Sequence, residues 1–304
     1  MTKFKISDTL AGNLACFLAY LIFAFNIVFC KDIANCGLVS PMALFCLRSL
    51  GAAALFWLIS AFSGNHEKIE LRDLWKVAVA SMLGLFLTQL SFLKAITMCT
   101  AVDVAILSLL SPIMTMLVAA VVIKDRITAG GTIGLLISLA GVLFIVLNSV
   151  SGRSGADSTS VQGVLLMLVN TFSFACYVGI FKPLLRKYSV VTFMKWMFVF
   201  STLYALPFGM KDLVEVPYAQ LPGSVLLEIA FVVVFATFVS YFLIPYGQKR
   251  IKPMVVCMYS YVQPVVAMAI SLASGLDHMT PAKAVATACV FIGVGIVNFA
   301  PDKR

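Results

Sequence analysis

The chain has 304 residues, of which 62% are hydrophobic and only 12% are charged. A water-soluble domain is closer to half apolar and a quarter charged, so this composition excludes a soluble globular fold. The net charge is +9, but the basic residues fall in short loops and form no separate surface with interleaved aromatic residues, which argues against nucleic-acid binding. We therefore expect membrane lipid around the protein and no nucleic-acid partner.

Ten apolar stretches follow one another along the chain, each close to the length of about 20 residues that a helix needs to cross a bilayer. The N-terminal segment MTKFKISDTLAGN is short and basic, and it leads into a full-length apolar stretch, which predicts an uncleaved first helix. The predicted fold is all-α and integral to the membrane, with ten transmembrane helices. They lie roughly at 11–30, 41–62, 74–95, 102–123, 130–149, 161–181, 192–210, 224–246, 253–273 and 281–299.

Two long segments of the chain repeat each other without a gap, Leu107 to Asn148 and Tyr259 to Ala300. The basic residues do not repeat with the rest. Loss of positive charge in one copy indicates that the two copies have opposite orientations in the bilayer, an architecture of transporters. We predict a first five-helix repeat at 1–150, a Ser/Gly-rich linker at 151–160, and an inverted second repeat at 161–304. The matched positions are Ser108 and Ser260, Pro112 and Pro264, Asp125 and Asp277, Thr128 and Thr280, and Gly141 and Gly293; Lys124 and Arg126 flank the first aspartate, and Leu276 and His278 flank the second.

The loops alternate in their content of basic residues, and short loops rich in Lys and Arg stay in the cytoplasm. With the N-terminus inside, the cytoplasmic loops take most of the basic residues. We expect both termini in the cytoplasm, a multi-pass protein of the plasma or inner membrane, and a monomer or weak homodimer. The other side of the membrane then holds only Lys31, Lys94, Arg153, Lys211 and Lys283.

Two copies of five spans resemble the drug/metabolite transporter superfamily, and its EamA family in particular. The resemblance rests on a Ser followed four residues later by Pro in the fourth and ninth spans, and on the acidic hairpin before a Gly-rich fifth span. It covers about 11–149 and 161–299. The family commonly has Glu where this chain has Asp125 and Asp277. The resemblance implies ten helices, cytoplasmic termini, a central solute path between the halves, and substrates that range from amino acids and nucleobase-like metabolites to quaternary amines and drugs.

Polar residues inside the apolar spans are the candidates for the solute path, because polar groups in a bilayer are costly and face a cavity or a partner. Ser111 and Asn170 also lie deep in spans, whereas we expect Lys195 and Glu228 to snorkel toward the interfaces. We select as path residues Asn26, Arg48, Gln89, Lys94, Asp103, Ser108, Tyr177, Tyr241, Tyr259, Tyr261 and Gln263.

The repeat alignment places a tyrosine of the second copy against a different residue type of the first at five positions. This predicts a polar wall and an aromatic wall along one path, and the aromatic wall would stack planar solutes or attract an organic cation. The alternative is that these tyrosines pack or anchor the helices at the membrane interfaces. The pairs are Gln89 and Tyr241, Lys94 and Tyr246, Leu107 and Tyr259, Leu109 and Tyr261, and Asn26 and Tyr177.

Several of the candidates have two interpretations. Lys94 and Asp103 form a structural pair across a short turn, or they meet a zwitterionic solute separately. Arg48 binds an anionic group, or it bonds a carbonyl at a helix end. Pro112 and Pro264 kink their helices, which suits either gating or packing.

Sequence motifs exclude several kinds of chemistry. No P-loop, HExxH or GxSxG motif occurs, so we predict neither direct use of ATP nor an enzyme. The eight cysteines are scattered singly, which predicts no metal site, and we expect no cofactor. Asp103 is the candidate for proton coupling, because Asp125 and Asp277 are expected in hairpins near water.

The predicted function is secondary-active transport, with export of a small metabolite such as an amino acid by alternating access between two inverted repeats. The alternative is an uptake permease for an organic cation, a nucleobase or another small solute. A more remote alternative is a membrane scaffold that transports nothing.

Overall fold

The structure, a computed structural model, describes residues 8–62, 67–122, 129–152, 159–251 and 259–299. Within these ranges the elements are helices, and no β-strand is present. In chain order they are α1 (Asp8–Cys36), α2 (Pro41–Phe62), α3 (Leu71–Met98), α4 (Ala101–Ser108), α5 (Ser111–Val122), α6 (Ala129–Gly152), α7 (Val161–Lys187), α8 (Val190–Glu215), α9 (Gly223–Gln248), α10 (Val262–Ala273) and α11 (Pro281–Phe299).

Six of the described helices are long and apolar enough to cross a membrane, namely α1, α2, α3, most of α7, α8 and α9. The prediction of an all-α membrane fold is thereby confirmed, while the count of ten spans stays a prediction. The acidic hairpin with Lys124, Asp125 and Arg126, and linker residues 153–158, lie outside the described residues. Helix α6 extends to Gly152, two residues into the predicted linker.

Hydroxyl side chains cap the N-terminal ends of several of the helices. Thr100 accepts a hydrogen bond from the Asp103 N–H at 3.2 Å, and the Ser160 hydroxyl accepts one from the Gly163 N–H at 3.0 Å. Ser189 does the same at the start of α8. Serine and threonine are favoured at this position because their oxygen satisfies an N–H that has no partner within the helix. The sequence therefore sets where α4, α7 and α8 begin.

The fourth predicted span, 102–123, is not one continuous helix. It breaks at Leu109 and Leu110, whose N–H groups bond to carbonyls three residues back, each at 3.1 Å. A proline has no N–H, and its ring would crowd the carbonyl four residues earlier in a regular helix, so the sequence itself opposes a continuous helix at position 112. The second repeat shows a related arrangement, since α10 begins two residues before Pro264.

Two helices carry a turn of π-helix at matching places in the two repeats. In α3 this turn is Met82–Leu87, and in α9 it is Val232–Val239. A π-turn is rare, and it frequently occurs at a functional site. Both turns lie directly before residues that line the cavity described below.

The loops assemble at two faces. At the face where α1 begins, the N-terminal face, Lys249 donates to the Tyr188 carbonyl at 2.9 Å, and the Ser189 N–H donates to Glu67 at 2.9 Å. At the opposite face, Lys31 donates to the Cys99 carbonyl at 2.8 Å. Loops that are predicted to lie on the same side of the membrane are therefore in contact in the structure.

Apolar clusters join the two repeats toward both faces. Toward the opposite face, one cluster contains buried side chains of both repeats, among them Ile27 and Val225. Toward the N-terminal face, the described residues form two separate clusters, a large one around Phe56 and Phe193, and a small one around Cys16 and Ile251. Each of these clusters therefore contains side chains of both repeats.

Candidate functional site

A cavity of about 120 Å³ lies between helices of both repeats. Side chains of α1, α2, α3, α4, α5, α7, α9 and α10 line it, together with the turn that precedes α10. Its volume is well below the roughly 300–1,000 Å³ typical of pockets for drug-sized ligands. In this conformation the cavity suits a small solute.

The two repeats contribute equivalent positions to the cavity wall. Four of the positions matched by the gapless repeat alignment line it in both copies. Such an arrangement places the cavity where the two inverted halves meet, which is where transporters of this architecture bind their solutes. The pairs are Gln89 and Tyr241, Phe92 and Ile244, Ser108 and Ser260, and Ser111 and Gln263.

Helical spacing brings these side chains to one surface. Residues three or four apart share a face of a helix. On α1, Tyr20, Phe23 and Asn26 follow this spacing, and on α7 Asn170 and Phe174 do so. The aromatic members make an apolar part of the wall beside the polar one.

Arg48 brings a positive charge into the cavity wall while remaining only 2% exposed. Its Nε donates to the Thr237 hydroxyl at 2.9 Å, and its Nη1 donates to the Cys30 sulfur at 3.9 Å. In the described part of the chain, no carboxylate lies within 4 Å of the guanidinium. Among the described residues that line the cavity, Arg48 alone is formally charged.

Gln89 presents an unsatisfied amide to the cavity. It is 3% exposed, and both its Oε1 and Nε2 atoms are buried without a hydrogen-bond partner. Tyr241 lies beside it but is not at hydrogen-bonding geometry. A buried polar group without a partner costs about 1–3 kcal/mol. The amide is therefore suited to bind a solute or water in the cavity.

Six of the predicted path residues come together in this cavity: Asn26, Arg48, Gln89, Ser108, Tyr241 and Gln263. Lys94 is exposed instead, because the five residues that separate it from Gln89 rotate it by about 140° around α3. The sequence left Arg48 with two interpretations, and the hydrogen bonds described above join it to side chains, not to a helix-end carbonyl.

The remaining predicted tyrosines lie outside the cavity wall. The Tyr177 ring packs on Gly84, where an added Cβ would come within 2.6 Å of it. Tyr259 makes an edge contact with Phe17, with the ring centroids 6.4 Å apart. Tyr261 packs near Phe291 at 6.5 Å. Their contacts are those of packing residues.

Asp103 has partners other than Lys94. It is buried near the opposite face, where the Thr159 hydroxyl donates to its Oδ2 atom. Its Oδ1 atom is buried and has no hydrogen-bond partner. Lys283 and Asp277 are the charged groups that act on it most directly. The predicted pair with Lys94 does not form, since the chain turns between the two residues and directs Lys94 outward.

Asp277 connects the second repeat to the first at the opposite face. Its carboxylate accepts from Lys283 at 2.6 Å and from the Val102 N–H at 3.1 Å. Lys283 also donates to the Thr100 hydroxyl at 3.0 Å. The sequence suggested that Asp277 lies near water. The structure instead buries this residue, which is 9% exposed. Burial acts to raise the pKa of this carboxyl, but the hydrogen bond and charge of Lys283 outweigh it and hold the pKa below its usual value.

A second network lies at the N-terminal face. Asp73 accepts hydrogen bonds from Lys76 at 2.8 Å, Lys187 at 2.7 Å and the Tyr188 hydroxyl at 2.9 Å. It joins α3 of the first repeat to α7 of the second. Lys195, which we expected to snorkel, is 7% exposed and donates to Ser60 at 2.9 Å.

The sequence analysis did not select several residues of the wall, including Thr88, Phe92 and Ser260. Phe92 stands three residues from Gln89, so helical spacing carried its signal. Thr88 is only a chain neighbour of a selected residue, and Ser260 lies in the turn before α10, where that spacing does not apply. Within the described residues, no group of three or more His, Cys, Asp or Glu side chains could hold a metal ion.

Helices that span a membrane, arranged as two repeats around a buried polar cavity, define a multi-pass membrane transporter. The chain belongs to the EamA-like transporter family, whose model matches residues 10–147 and again residues 161–299. The resemblance found in the sequence is thereby confirmed.

Relatives and a solved structure agree with this assignment. An uncharacterized transporter of Archaeoglobus fulgidus is 27% identical over 206 residues, which cover 67% of this chain and 68% of the relative. The uncharacterized inner membrane transporter YicL of Salmonella typhimurium is 24% identical over 272 residues, 88% of each chain. A solved crystal structure at 18% identity superposes with a TM-score of 0.66, covering 95% of this chain and 99% of its own, and shares the fold.

Proposed function

We propose that this transporter is secondary-active and carries a small metabolite such as an amino acid, by alternating access to the central cavity. One observation carries the proposal. Equivalent residues of two inverted repeats surround a cavity into which the buried, unpartnered amide of Gln89 projects. A site of this kind at the meeting point of two repeats can be exposed to either side as one half rocks against the other.

Rocking requires the packing between the two halves to open and close at each face. All three apolar clusters contain side chains of both repeats, so the halves contact each other toward both faces. With both termini cytoplasmic, export requires a conformation that loads the cavity from the N-terminal face. The cavity is complete within one chain, so a monomer suffices for transport.

The location follows from the same orientation. We place the protein in the plasma or inner membrane with its termini inside, and its similarity to YicL, an inner membrane transporter, supports the choice of membrane. Basic residues in the loops of the N-terminal face agree with a cytoplasmic location.

Uptake of an organic cation is the second candidate, favoured by the aromatic side chains of Tyr20, Phe23 and Tyr241 in the wall. Aromatic faces attract cations. Arg48 disfavours an organic cation, because its positive charge repels a solute of the same charge strongly in a site of low dielectric. The aromatic wall is equally suited to the apolar part of a small metabolite.

Proton coupling through Asp103 is part of the proposal. The carboxyl is buried near the opposite face, and its Oδ1 atom has no partner. Loss of a proton there would change the charge beside Lys283 and Asp277, which hold the halves together. In proteoliposomes, Asp103→Asn should abolish flux driven by a pH gradient and leave solute exchange intact; unchanged pH-driven flux would exclude this role.

The test of transport combines binding with flux. Purified protein is screened for thermal stabilisation by amino acids, nucleobases, nucleosides and quaternary amines, and each hit is measured by counterflow in proteoliposomes. Gln89→Ala should reduce both signals for the true solute. Tyr177→Phe is the matched control, because it removes one hydroxyl outside the cavity wall and should leave both signals unchanged. If none of the solutes in the panel showed counterflow, the proposal would be contradicted.

A further inference from the structure

We infer that the transported solute carries a single carboxylate, that Arg48 binds it, and that Thr237 positions the Arg48 guanidinium. The inference rests on the transport function proposed above and adds the chemical class of the solute.

The charge of Arg48 indicates the class. A buried charge is costly unless it is paired, and within the described residues no carboxylate lies within 4 Å of this guanidinium. Its position in the cavity wall makes a solute anion the fitting partner. One arginine balances one negative charge. A phosphate ester carries about −1.5 to −2 at neutral pH, which would leave charge uncompensated in this cavity.

The protein fixes the guanidinium but leaves part of it available. The Nε atom is engaged by Thr237 and the Nη1 atom by Cys30, whereas Nη2 has no hydrogen-bond partner in the part of the chain described here. Cys30 in turn donates to the Asn26 side-chain oxygen at 3.5 Å. A planar guanidinium held in this way offers N–H groups in the geometry that matches the two oxygens of a carboxylate.

Thr237 is the link between this arginine and the π-turn of α9. Its hydroxyl accepts from Arg48 Nε at 2.9 Å and donates to the Val232 carbonyl at 2.8 Å. Both functions of the hydroxyl are therefore used, and its direction is set by a backbone carbonyl five residues earlier. Thr237 does not line the cavity, so it acts through Arg48 as a positioning residue.

Gln89 supplies the second contact. Its amide offers one acceptor and one donor group, both buried and unpartnered, to the remainder of a solute whose carboxylate lies at Arg48. An amino acid meets this requirement, since its ammonium group can donate to an amide oxygen.

The test uses solutes that differ only at the carboxyl. One series is L-alanine, L-alaninamide and ethylamine, a second is L-serine, L-serinamide and ethanolamine, and a third is L-leucine, L-leucinamide and isopentylamine. Counterflow is measured in proteoliposomes at neutral pH against protein-free liposomes. We expect flux of at least one carboxylate member, and at least tenfold weaker competition by its amide and amine.

Variants of Arg48 test whether this residue causes the preference for a carboxylate over an amide. Arg48→Gln should remove the preference for the carboxylate over the amide, and Arg48→Lys should retain part of it. Lys195→Gln is the matched control, because Lys195 is also a buried cation but lies at Ser60, away from the cavity. It should leave the preference unchanged.

Variants of Thr237 test the positioning role. Thr237→Val should raise the half-saturating concentration of the carboxylate about tenfold, the factor that corresponds to one hydrogen bond to a charged group. The amide should be affected little, and Thr237→Ser should restore the wild-type preference. A structural defect alone would lower the flux of all solutes equally, and that result would overturn the role of Thr237.

The outcomes separate this inference from the function on which it rests. Equal transport of acids, amides and amines, unaffected by Arg48→Gln, would overturn carboxylate recognition and leave transport established. Absence of counterflow for every member of the three series and of the wider solute panel would overturn both. Carboxylate preference that survives Arg48→Gln would remove Arg48 from the site while retaining the solute class.

Discussion

Thr88 and Ser240 stand at the same position of the two repeats and make the same hydrogen bond. The Thr88 hydroxyl donates to the Leu83 carbonyl at 2.7 Å, and the Ser240 hydroxyl donates to the Phe235 carbonyl at 3.1 Å. Each bond spans five residues and closes the π-turn of its helix. Both residues directly precede a member of the Gln89–Tyr241 pair, so the two π-turns set the position of matching parts of the cavity wall.

Removal of either hydroxyl should destabilise the protein slightly. Hydrogen bonds of side chains inside membrane proteins contribute about 0.6 kcal/mol on average, so Thr88→Val and Ser240→Ala should each lower the melting temperature by a small amount. The two sites lie in different repeats, and the double variant should show the sum of the single effects. Thermal unfolding in detergent measures this. A loss in the double variant much larger than the sum would show that the two turns are coupled.

The repeat alignment identified residues of the cavity at positions where the two copies carry different residue types. Gln89 and Tyr241 were expected to face one path, and the structure places both in the wall. Their depth and polarity were visible in the chain because a polar residue in an apolar span has few other reasons to be there.

The direction of each side chain around its helix was harder to predict. Tyr259 lies next to Ser260 in the chain, yet only Ser260 lines the cavity. Successive residues of a helix point about 100° apart, and apolar surroundings of lipid and of protein look alike in a sequence. The partners of Asp103 and Asp277 were also hidden, because they join loops that are distant along the chain and follow no period.

Gly51 should tolerate no larger residue. A Cβ at this position would lie 2.3 Å from the Val233 side chain in the π-turn of α9. We expect Gly51→Ala to destabilise the protein by about 1–3 kcal/mol through overpacking, seen as a lower melting temperature in detergent. Val233→Ala in the same chain should restore much of the loss. Gly295→Ala is the control, because nothing lies within 4 Å of its Cβ position. Failure of the second substitution to restore stability would show that Gly51 acts through something other than this contact.

Lys283 should keep the opposite face closed. Its bond to Thr100 joins the repeats, and its bond to Asp277 holds the carboxylate that accepts from the Val102 N–H of the first repeat, so Lys283→Met should favour the conformation in which this face opens. Hydrogen exchange at 98–103 and 274–283, measured by mass spectrometry, should accelerate several-fold. Lys211→Met removes an exposed ion pair with Glu215, 3.8 Å apart, on the same face, and should leave exchange at these segments unchanged, since exposed pairs contribute little. Equal exchange in the two variants would contradict the role of Lys283.

Asp277 should make stability depend on pH in the acid range. Its pKa is held below the usual value, with burial acting to raise it and Lys283 lowering it by more. A carboxyl whose pKa is lower in the folded state contributes stability that is fully present above its unfolded pKa, near 3.9, and is lost as the pH falls through the folded pKa. Asp277→Asn should therefore melt at a lower temperature than the wild type at neutral pH, and the difference should shrink below about pH 4. Remote carboxyls, such as Glu67, titrate in both proteins and cancel in the comparison, whereas Asp103 interacts with Asp277 and is affected by the substitution. A difference that stays constant from pH 7 to pH 3 would show that the Asp277 charge does not stabilise the join between the repeats.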